Sequence, residues 1–404
     1  MTGLLTFEEA RERVLASAVR VPAEEVALSR ALGRVLAEPV RAAGPLPPFS
    51  YSAMDGYALR AGALVGSAPW SVPVAGESRT GHVPEPLAPG RACRISTGAR
   101  LPEGADAVLP IEIVEPKEGA IVVRDAVRPG QHVRRAGEDL EGGAVALPAG
   151  KRLDPASLGL LASLDRVRLT VARRPRVVVL CTGDELRPAG SADQAGKIPD
   201  SISLPLCTLA ERAGAEVLRV EHVKDEPGPT ELAVRTALEA ADLLLTVGGV
   251  SVGEHDWVRP ALAAEGVTLD FYKVAIKPGK PITFGRRGPE GPSVLALPGN
   301  PASALITFAL FGMPLLRAMQ GDAQPLPRVL RMTLTSAVRH KPGRLEFLRA
   351  RLERKPSSAV TALENQASGA LTSLALADAL VLFPADAAEL PAGASVDVLS
   401  WSDF

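Results

Sequence analysis

Three short stretches of this chain set glycine beside hydroxyl, carboxyl and amide groups. They are Cys181-Thr-Gly-Asp-Glu185, Gly248-Gly249-Val-Ser251-Val-Gly253 with Glu254 and Asp256 after it, and Leu297-Pro298-Gly299-Asn300-Pro301-Ala-Ser303. Glycine lets a backbone come close to a ligand with its N–H groups turned inward, and a helix beginning just afterwards adds partial positive charge. Ser251 and Ser303 add hydroxyl donors. The chemistry this suits is the holding of phosphate or another oxyanion, although no stretch is a Walker A loop or a G-x-G-x-x-G fingerprint. One such loop alone reads as a chain turn. Three of them, each ending an apolar run, read as a phosphate cradle.

Lys277-Pro-Gly-Lys280-Pro lies between the second and third of these stretches, after a short apolar segment, FYKVAI, expected to be a strand. Its prolines reduce the entropy lost when two ammonium groups are fixed on an anion. Taken alone it reads as a solvated turn; its place between two cradle loops favours anion binding. Carboxylates beside a phosphate cradle repel the ligand unless a cation intervenes. Glu185, Asp225 and Asp256 are therefore read as ligands of Mg²⁺, an ion that takes oxygen donors. Asp225, in VKDEPGP, fits an acid at a helix start equally well, and His255 is read as incidental. A second polar set lies far upstream: Ser52-Ala-Met-Asp55-Gly-Tyr57, Ser96-Thr97-Gly98, and Val133-Arg134-Arg135-Ala-Gly-Glu138-Asp139. From the residues alone, turn chemistry explains these as well as anion contact does.

The elements that must carry these residues can be read from periodicity. Between Pro175 and about Met319, four apolar runs (RVVVLCTG, AEVLRVEHV, ADLLLTVGG and PSVLALPG) alternate with helical patterns. That alternation predicts a mostly parallel sheet covered on both faces, with ligands beyond the carboxyl ends of its strands. Thr6-Phe-Glu-Glu9 reads as a capping box opening a helix with Phe7, Ala10, Val14 and Ala18 on one face. A second helix is expected over about Ala23–Leu36, and a third begins at Asp154-Pro155. From Pro45 to about Gly143, short β-prone pieces between Pro and Gly turns predict a small β-rich domain. After Gln324, alternating strands predict a small barrel or sandwich.

The 404 residues are enough for several domains, and 46% are hydrophobic. A net charge of −1 gives no global field for nucleic acid or an anionic membrane, so neither is expected as a partner. Cys93, Cys181 and Cys207 are far apart and form no C-x-x-C, so neither a zinc site nor a disulfide framework is expected, and a reducing cytoplasm fits. The N-terminus has acids where a signal peptide would be apolar, and no apolar stretch is long and uninterrupted enough to span a bilayer.

Assembled, these residues resemble the molybdopterin molybdotransferase family (MoeA type, including the E domain of gephyrin and its plant counterpart). The resemblance rests on Ser52-Ala-Met-Asp-Gly-Tyr-Ala58, Thr97-Gly-Ala-Arg-Leu-Pro-Glu-Gly-Ala-Asp106, Arg134-Arg-Ala-Gly-Glu-Asp139, Thr182-Gly-Asp-Glu-Leu186, Gly248-Gly-Val-Ser-Val-Gly253 with Asp256, Lys277-Pro-Gly-Lys-Pro281, Leu297-Pro-Gly-Asn-Pro301 and Ser368-Gly-Ala-Leu-Thr-Ser373. They occur in family order, and the ordered set is far more specific than any member. His255 is a departure, standing where many relatives have a small residue.

The resemblance implies a multidomain α/β plus β fold. A molybdopterin-binding three-layer α/β domain with a mostly parallel sheet would take residues 4–23 and 175–323. A connecting domain would take 24–42 and 144–174, a β-rich inserted domain 43–143, and a C-terminal β-barrel 324–404. It implies a homodimer whose active site joins the α/β domain of one subunit to the inserted domain of the other. The implied reaction unites molybdate with adenylyl-molybdopterin, releases AMP and needs Mg²⁺; a molybdopterin adenylyltransferase is an implied partner. Asp55, Thr97, Asp139, Glu185, Asp225 and Asp256 are the implied catalytic residues. The implied substrate contacts are Arg134, Gly248, Gly249, Ser251, Gly253, Lys277, Lys280, Pro298, Gly299, Asn300, Ser303 and Ser368. The alternatives are the preceding adenylylation step and a non-catalytic scaffold like the gephyrin E domain.

Overall fold

The computed structural model describes residues 4–193, 195–248, 257–353, 355 and 358–404. The chain opens with the expected capping box: Thr6 Oγ1 accepts from Glu9 N (3.2 Å), and Thr6 N donates to Glu9 Oε2 (2.8 Å). The helix Phe7–Ala16 buries Phe7, Ala10 and Val14. Phe7 meets Phe311 and Phe347 edge-on, with ring centroids 5.4 and 5.0 Å apart. The N-terminal segment is thereby stapled to the central domain and to the C-terminal one.

The helix expected over Ala23–Leu36 does not form. Ala23–Ala27 is a strand paired antiparallel with Arg168–Ala172, and Leu28–Arg30 makes one 3₁₀ turn. Alanine and glutamate there favour helix locally, but the pairing with a strand some 140 residues away overrides that weak preference. Asp154 does cap the helix Pro155–Ser163, its Oδ1 accepting from Ser157 N at 2.7 Å.

The β-rich segment contains a six-stranded sheet in the order Ala107–Pro110, Gly56–Leu59, Ala92–Ile95, Trp70–Ser78, Ala120–Val123, Glu115–Lys117. Gly56 is required where two of these strands meet, since a Cβ there would lie 1.9 Å from the Leu109 carbonyl oxygen.

The central sheet runs Glu216–Val223, Arg176–Thr182, Leu243–Val247, Ser293–Leu297, Thr283–Arg287, Val267–Phe271. Its first four strands are parallel; Thr283–Arg287 runs antiparallel to both its neighbours, so Val267–Phe271 again shares the direction of the first four. One face packs on the helices Phe7–Ala16, Ser203–Arg212 and the 301–319 segment; the other packs on Pro227–Ala240 and Val258–Ala264. All five residues of Leu243–Val247 are buried, as a strand covered on both faces requires. The 301–319 segment is long and apolar enough to cross a membrane, but 89% of it is buried inside the protein, the mark of a core helix. FYKVAI is not one strand: Phe271 ends the strand Val267–Phe271, and only Ile276–Lys277 re-enters a sheet, pairing with the C-terminal domain. Tyr272 is exposed where the chain leaves the sheet.

The C-terminal region is a closed five-stranded barrel, not a sandwich. Val329–Leu334 pairs with Ser395–Ser400 and Ala359–Ala362, Ser395–Ser400 with Ala379–Phe383, and Leu345–Leu352 closes the ring by pairing with both Ala379–Phe383 and Ala359–Ala362.

Candidate functional site

The strands Arg176–Thr182, Leu243–Val247 and Ser293–Leu297 are immediate neighbours, and Val247 lies beside both Cys181 and Leu297. Their carboxyl ends therefore deliver three glycine-bearing loops to one place. Thr182 Oγ1 donates to the Val247 carbonyl (3.4 Å), and Gly248 N donates to that of Leu297 (3.3 Å). Gly248 has φ +82°, and a Cβ there would lie 2.8 Å from the Thr182 carbonyl oxygen. Only glycine fits that crossing. Pro298 is buried, whereas Gly299 and Asn300 are exposed at the rim. Gly249, Ser251, Gly253 and Asp256 lie outside the described residues.

Two more segments close on the same corner. Asn300 is the N-cap of the helix Pro301–Thr307, and the N–H of buried Ser303 donates to the Ser368 carbonyl (3.3 Å). The Ser368 loop of the barrel thus sits on the helix that follows the third glycine loop. Lys277-Pro-Gly-Lys-Pro docks on that helix too. Pro278 and Gly279 are buried, and a Cβ on Gly279 (φ +96°) would fall 2.0 Å from Thr307 Cγ2. The segment is therefore no free surface turn. Lys280 is exposed, and Lys277 Nζ lies 2.9 Å from Glu346 Oε1.

Sequence reasoning missed the residues beneath this loop. Glu346 is buried and bridges Lys277 to the buried His340 ring through its second oxygen. Arg349, fully buried, donates to the carbonyls of Ala367 (2.9 Å) and Ala370 (3.4 Å) and to Gln366 Oε1 (3.1 Å), so it holds the Ser368 loop from behind. Burial pushes the Arg349 guanidinium below its ordinary value, while the nearby Glu346 opposes that shift. The only trace in the sequence is an acid and an arginine within the otherwise apolar start of LEFLRARL.

Of the three acids assigned to a cation, Glu185 and Asp225 follow adjacent strands, Arg176–Thr182 and Glu216–Val223. Asp184 N approaches Asp225 Oδ2 (3.4 Å), which ties the two loops together. Glu185 is exposed and Asp225 half-buried. Two carboxylates on adjoining loops make an all-oxygen donor set of the kind Mg²⁺ takes, so the residues fit that ion.

The upstream set also assembles. Thr97 donates from N and from Oγ1 to the two oxygens of Asp55, each at 2.9 Å. These bonds, the backbone one first, hold the Asp55 carboxyl below the usual range. Gly98 N donates to the Ser52 carbonyl, and Val133–Arg134 pairs with Tyr51–Ser52. Arg134 Nη1 donates to Glu138 Oε1 (2.9 Å), and Asp139, exposed, is fixed through its N–H to the Leu46 carbonyl. Asp55, Thr97, Arg134 and Asp139 thus belong to one knot of turns.

Comparison with known proteins agrees with this architecture. Residues 5–164 match the MoeA N-terminal region (domain I and II), 178–318 a probable molybdopterin binding domain, and 331–401 the MoeA C-terminal region (domain IV). The chain is 39% identical over 354 residues to the molybdopterin molybdenumtransferase of Haemophilus influenzae, covering 86% of this chain and 85% of that one. It is 36% identical over 406 residues to the same-named protein of Synechococcus elongatus, covering 98% and 100%.

The chain belongs to the molybdopterin molybdenumtransferase (MoeA) family.

A crystal structure of the molybdopterin biosynthesis MoeA protein from Pyrococcus horikoshii OT3 superposes with a TM-score of 0.87 at 28% identity, over 99% of this chain and all of that one. The glycine loops here therefore stand on a scaffold that matches that MoeA protein from end to end, not on an isolated α/β domain.

Proposed function

We propose that this chain is a transferase of molybdenum cofactor biosynthesis that inserts molybdenum from molybdate into molybdopterin, with adenylyl-molybdopterin as the organic substrate and AMP as the leaving product. Membership of the MoeA family supports the reaction class. The observation that carries the substrate reading is the meeting of the glycine loops, the Lys277–Pro281 segment and the Ser368 loop around the helix Pro301–Thr307, with Ser303 N bonded to the Ser368 carbonyl and Gly279 against Thr307. That corner offers the exposed Gly299–Asn300 backbone, the exposed Lys280 ammonium and the Lys277 ammonium oriented by Glu346 to an anion that carries a phosphate, a pyrophosphate link and then an oxometallate.

Gly248, Pro298, Gly299, Asn300 and Ser303 form the floor, and Lys277 and Lys280 neutralise the phosphates. Gly249, Ser251, Gly253 and Asp256 are assigned to the same site by sequence. Glu185, Asp225 and Asp256 would hold Mg²⁺, which would supply charge neutralisation for the phosphoanhydride. Asp55, Thr97, Arg134 and Asp139 complete the site from the inserted domain of a second copy. Asp55, fixed by Thr97, presents a carboxylate that is ionised throughout the neutral range.

The test is AMP release from adenylyl-molybdopterin in the presence of molybdate and Mg²⁺, together with the activation of an apo-molybdoenzyme. Both should occur with the wild-type chain and fall sharply for Glu185→Ala. Adenylylation of free molybdopterin from ATP without AMP release would instead place the chain one step earlier, and inertness in both assays would leave a scaffold.

A further inference from the structure

A second cluster of donors lies on the sheet face covered by the helix Ser203–Arg212, apart from the carboxylates assigned to Mg²⁺. Cys181 and His222 oppose each other in register on the parallel strands Arg176–Thr182 and Glu216–Val223, so their side chains leave the same face. Asp200, just before the helix, reaches in between. Its Oδ1 accepts from the N–H groups of Ile202 (2.8 Å) and Ser203 (3.1 Å), while its Oδ2 faces His222 Nε2 at 2.8 Å. The sulfur, the carboxylate oxygen and the ring nitrogen all lie within 4.8 Å of one another. Cys181 is 1% exposed and the Asp200 side chain 4%, whereas His222 is 38% exposed and forms the solvent side of the cluster.

We propose that Cys181, Asp200 and His222 form a binding site for a borderline divalent metal ion, Zn²⁺, with solvent in the fourth position. One sulfur, one nitrogen and one oxygen make a donor set for Zn²⁺ and a poor one for Mg²⁺ or Ca²⁺. The three donors come from separate segments that the sheet register and the helix cap already hold together. Bonds of about 2.0–2.3 Å to a tetrahedral ion space the ligands by about 3.3–3.7 Å. The His222–Asp200 pair, 2.8 Å apart, would open by roughly half an ångström to meet that spacing, and the sulfur, within 4.8 Å of both, would close by no more than about 1.3 Å. Asp200 needs no reorientation, because the helix N–H groups already fix its carboxylate through the other oxygen. On binding, the Cys181 S–H bond breaks, its proton passes to solvent, and a sulfur–zinc bond forms. The site roots the loop that carries Glu185 but does not depend on the substrate assigned above. The competing account is a plain ion pair between His222 and Asp200, which needs no metal.

The decisive experiment uses the full chain, stripped by chelator and titrated with Co²⁺. The expected result is saturation at a single equivalent, with a near-ultraviolet thiolate-to-cobalt band and visible ligand-field bands, both displaced by Zn²⁺. Cys181→Ser should abolish the near-ultraviolet band. His222→Asn, at an exposed position that leaves the fold intact, should weaken Co²⁺ binding about 10-fold or more. Cys207→Ser, on the covering helix, should change neither. Absence of the charge-transfer band in the wild type, its persistence in Cys181→Ser, or its loss in Cys207→Ser would overturn the site. Should Cys181→Ser fail to fold, as judged by circular dichroism, unchanged Co²⁺ affinity in His222→Asn would overturn it alone.

Discussion

Two side chains with single, nameable partners give direct tests. Asp55 is depressed because Thr97 donates to it twice. A carboxylate whose folded value is lowered contributes stability above its ordinary range and loses it as pH falls through the folded value. Thr97→Val removes the hydroxyl donor but keeps the N–H. The Asp55 titration, followed by carbon-detected NMR, should then move part of the way back up toward the usual aspartate value. An unmoved titration would show that the backbone bond alone sets it. Lys277 is a different case, for its Nζ is tied to the buried Glu346, which also holds His340. Glu346→Gln keeps the shape and removes the charge. The ammonium group then loses its orientation, and KM for the pterin substrate should rise about 10-fold, equivalent to about 1.4 kcal/mol, with a smaller change in kcat. A fall in melting temperature with KM unchanged would make Glu346 structural only.

At the scale of elements, the loops matter through what they pack against. Gly279 combines a positive φ with a hypothetical Cβ only 2.0 Å from Thr307 Cγ2, so Gly279→Ala imposes both backbone strain and a clash. It should displace Lys277 and Lys280 and lower activity by about 10-fold or more, given a left-handed cost of roughly 1–2 kcal/mol before the clash is counted. Adding Thr307→Ala removes the clash but not the strain, so the double variant should recover part of the loss in the same assay. The helix Pro301–Thr307 and its glycine loop were legible from sequence because a buried parallel strand is a continuous apolar run and Pro sits at the helix start. The docking of Lys277–Pro281 on that helix was not, since it depends on Thr307, whose role no local pattern announces. The strand Ala23–Ala27 was misread as helix because its partner lies far along the chain. Glu346 and Arg349 stayed hidden because a charged residue in a strand ordinarily marks the solvent face, whereas here Lys277 and His340 cover the one and the 366–370 segment covers the other.

At the scale of the molecule, two polar knots have to be brought into one account. Asp55 and Thr97 are bonded to each other, and Arg134 and Asp139 lie on neighbouring turns of the β-rich segment, while Glu185, Asp225, Lys277 and Ser303 lie on loops and a helix that follow the central strands. Their residue types were visible in the sequence; which copy of the chain supplies each knot is a matter of assembly that no single-chain pattern encodes. The homodimer with shared sites proposed above has a consequence that independent protomers lack. Asp55→Ala and Glu185→Ala should each be inactive alone, because every site contains one lesion. In a mixed dimer, one site takes its central domain from the Asp55→Ala chain and its inserted domain from the Glu185→Ala chain, and that site is intact. The other site carries both lesions. Random re-pairing of equal amounts makes about half of the dimers mixed, each with one working site of two, so roughly a quarter of wild-type activity should return. The measurement is AMP release after the two inactive variants are dissociated, mixed and reassociated, with sizing chromatography to follow dimers. No recovery from mixed dimers that have formed would mean that each chain builds its site alone, and the inserted-domain residues would then need another role.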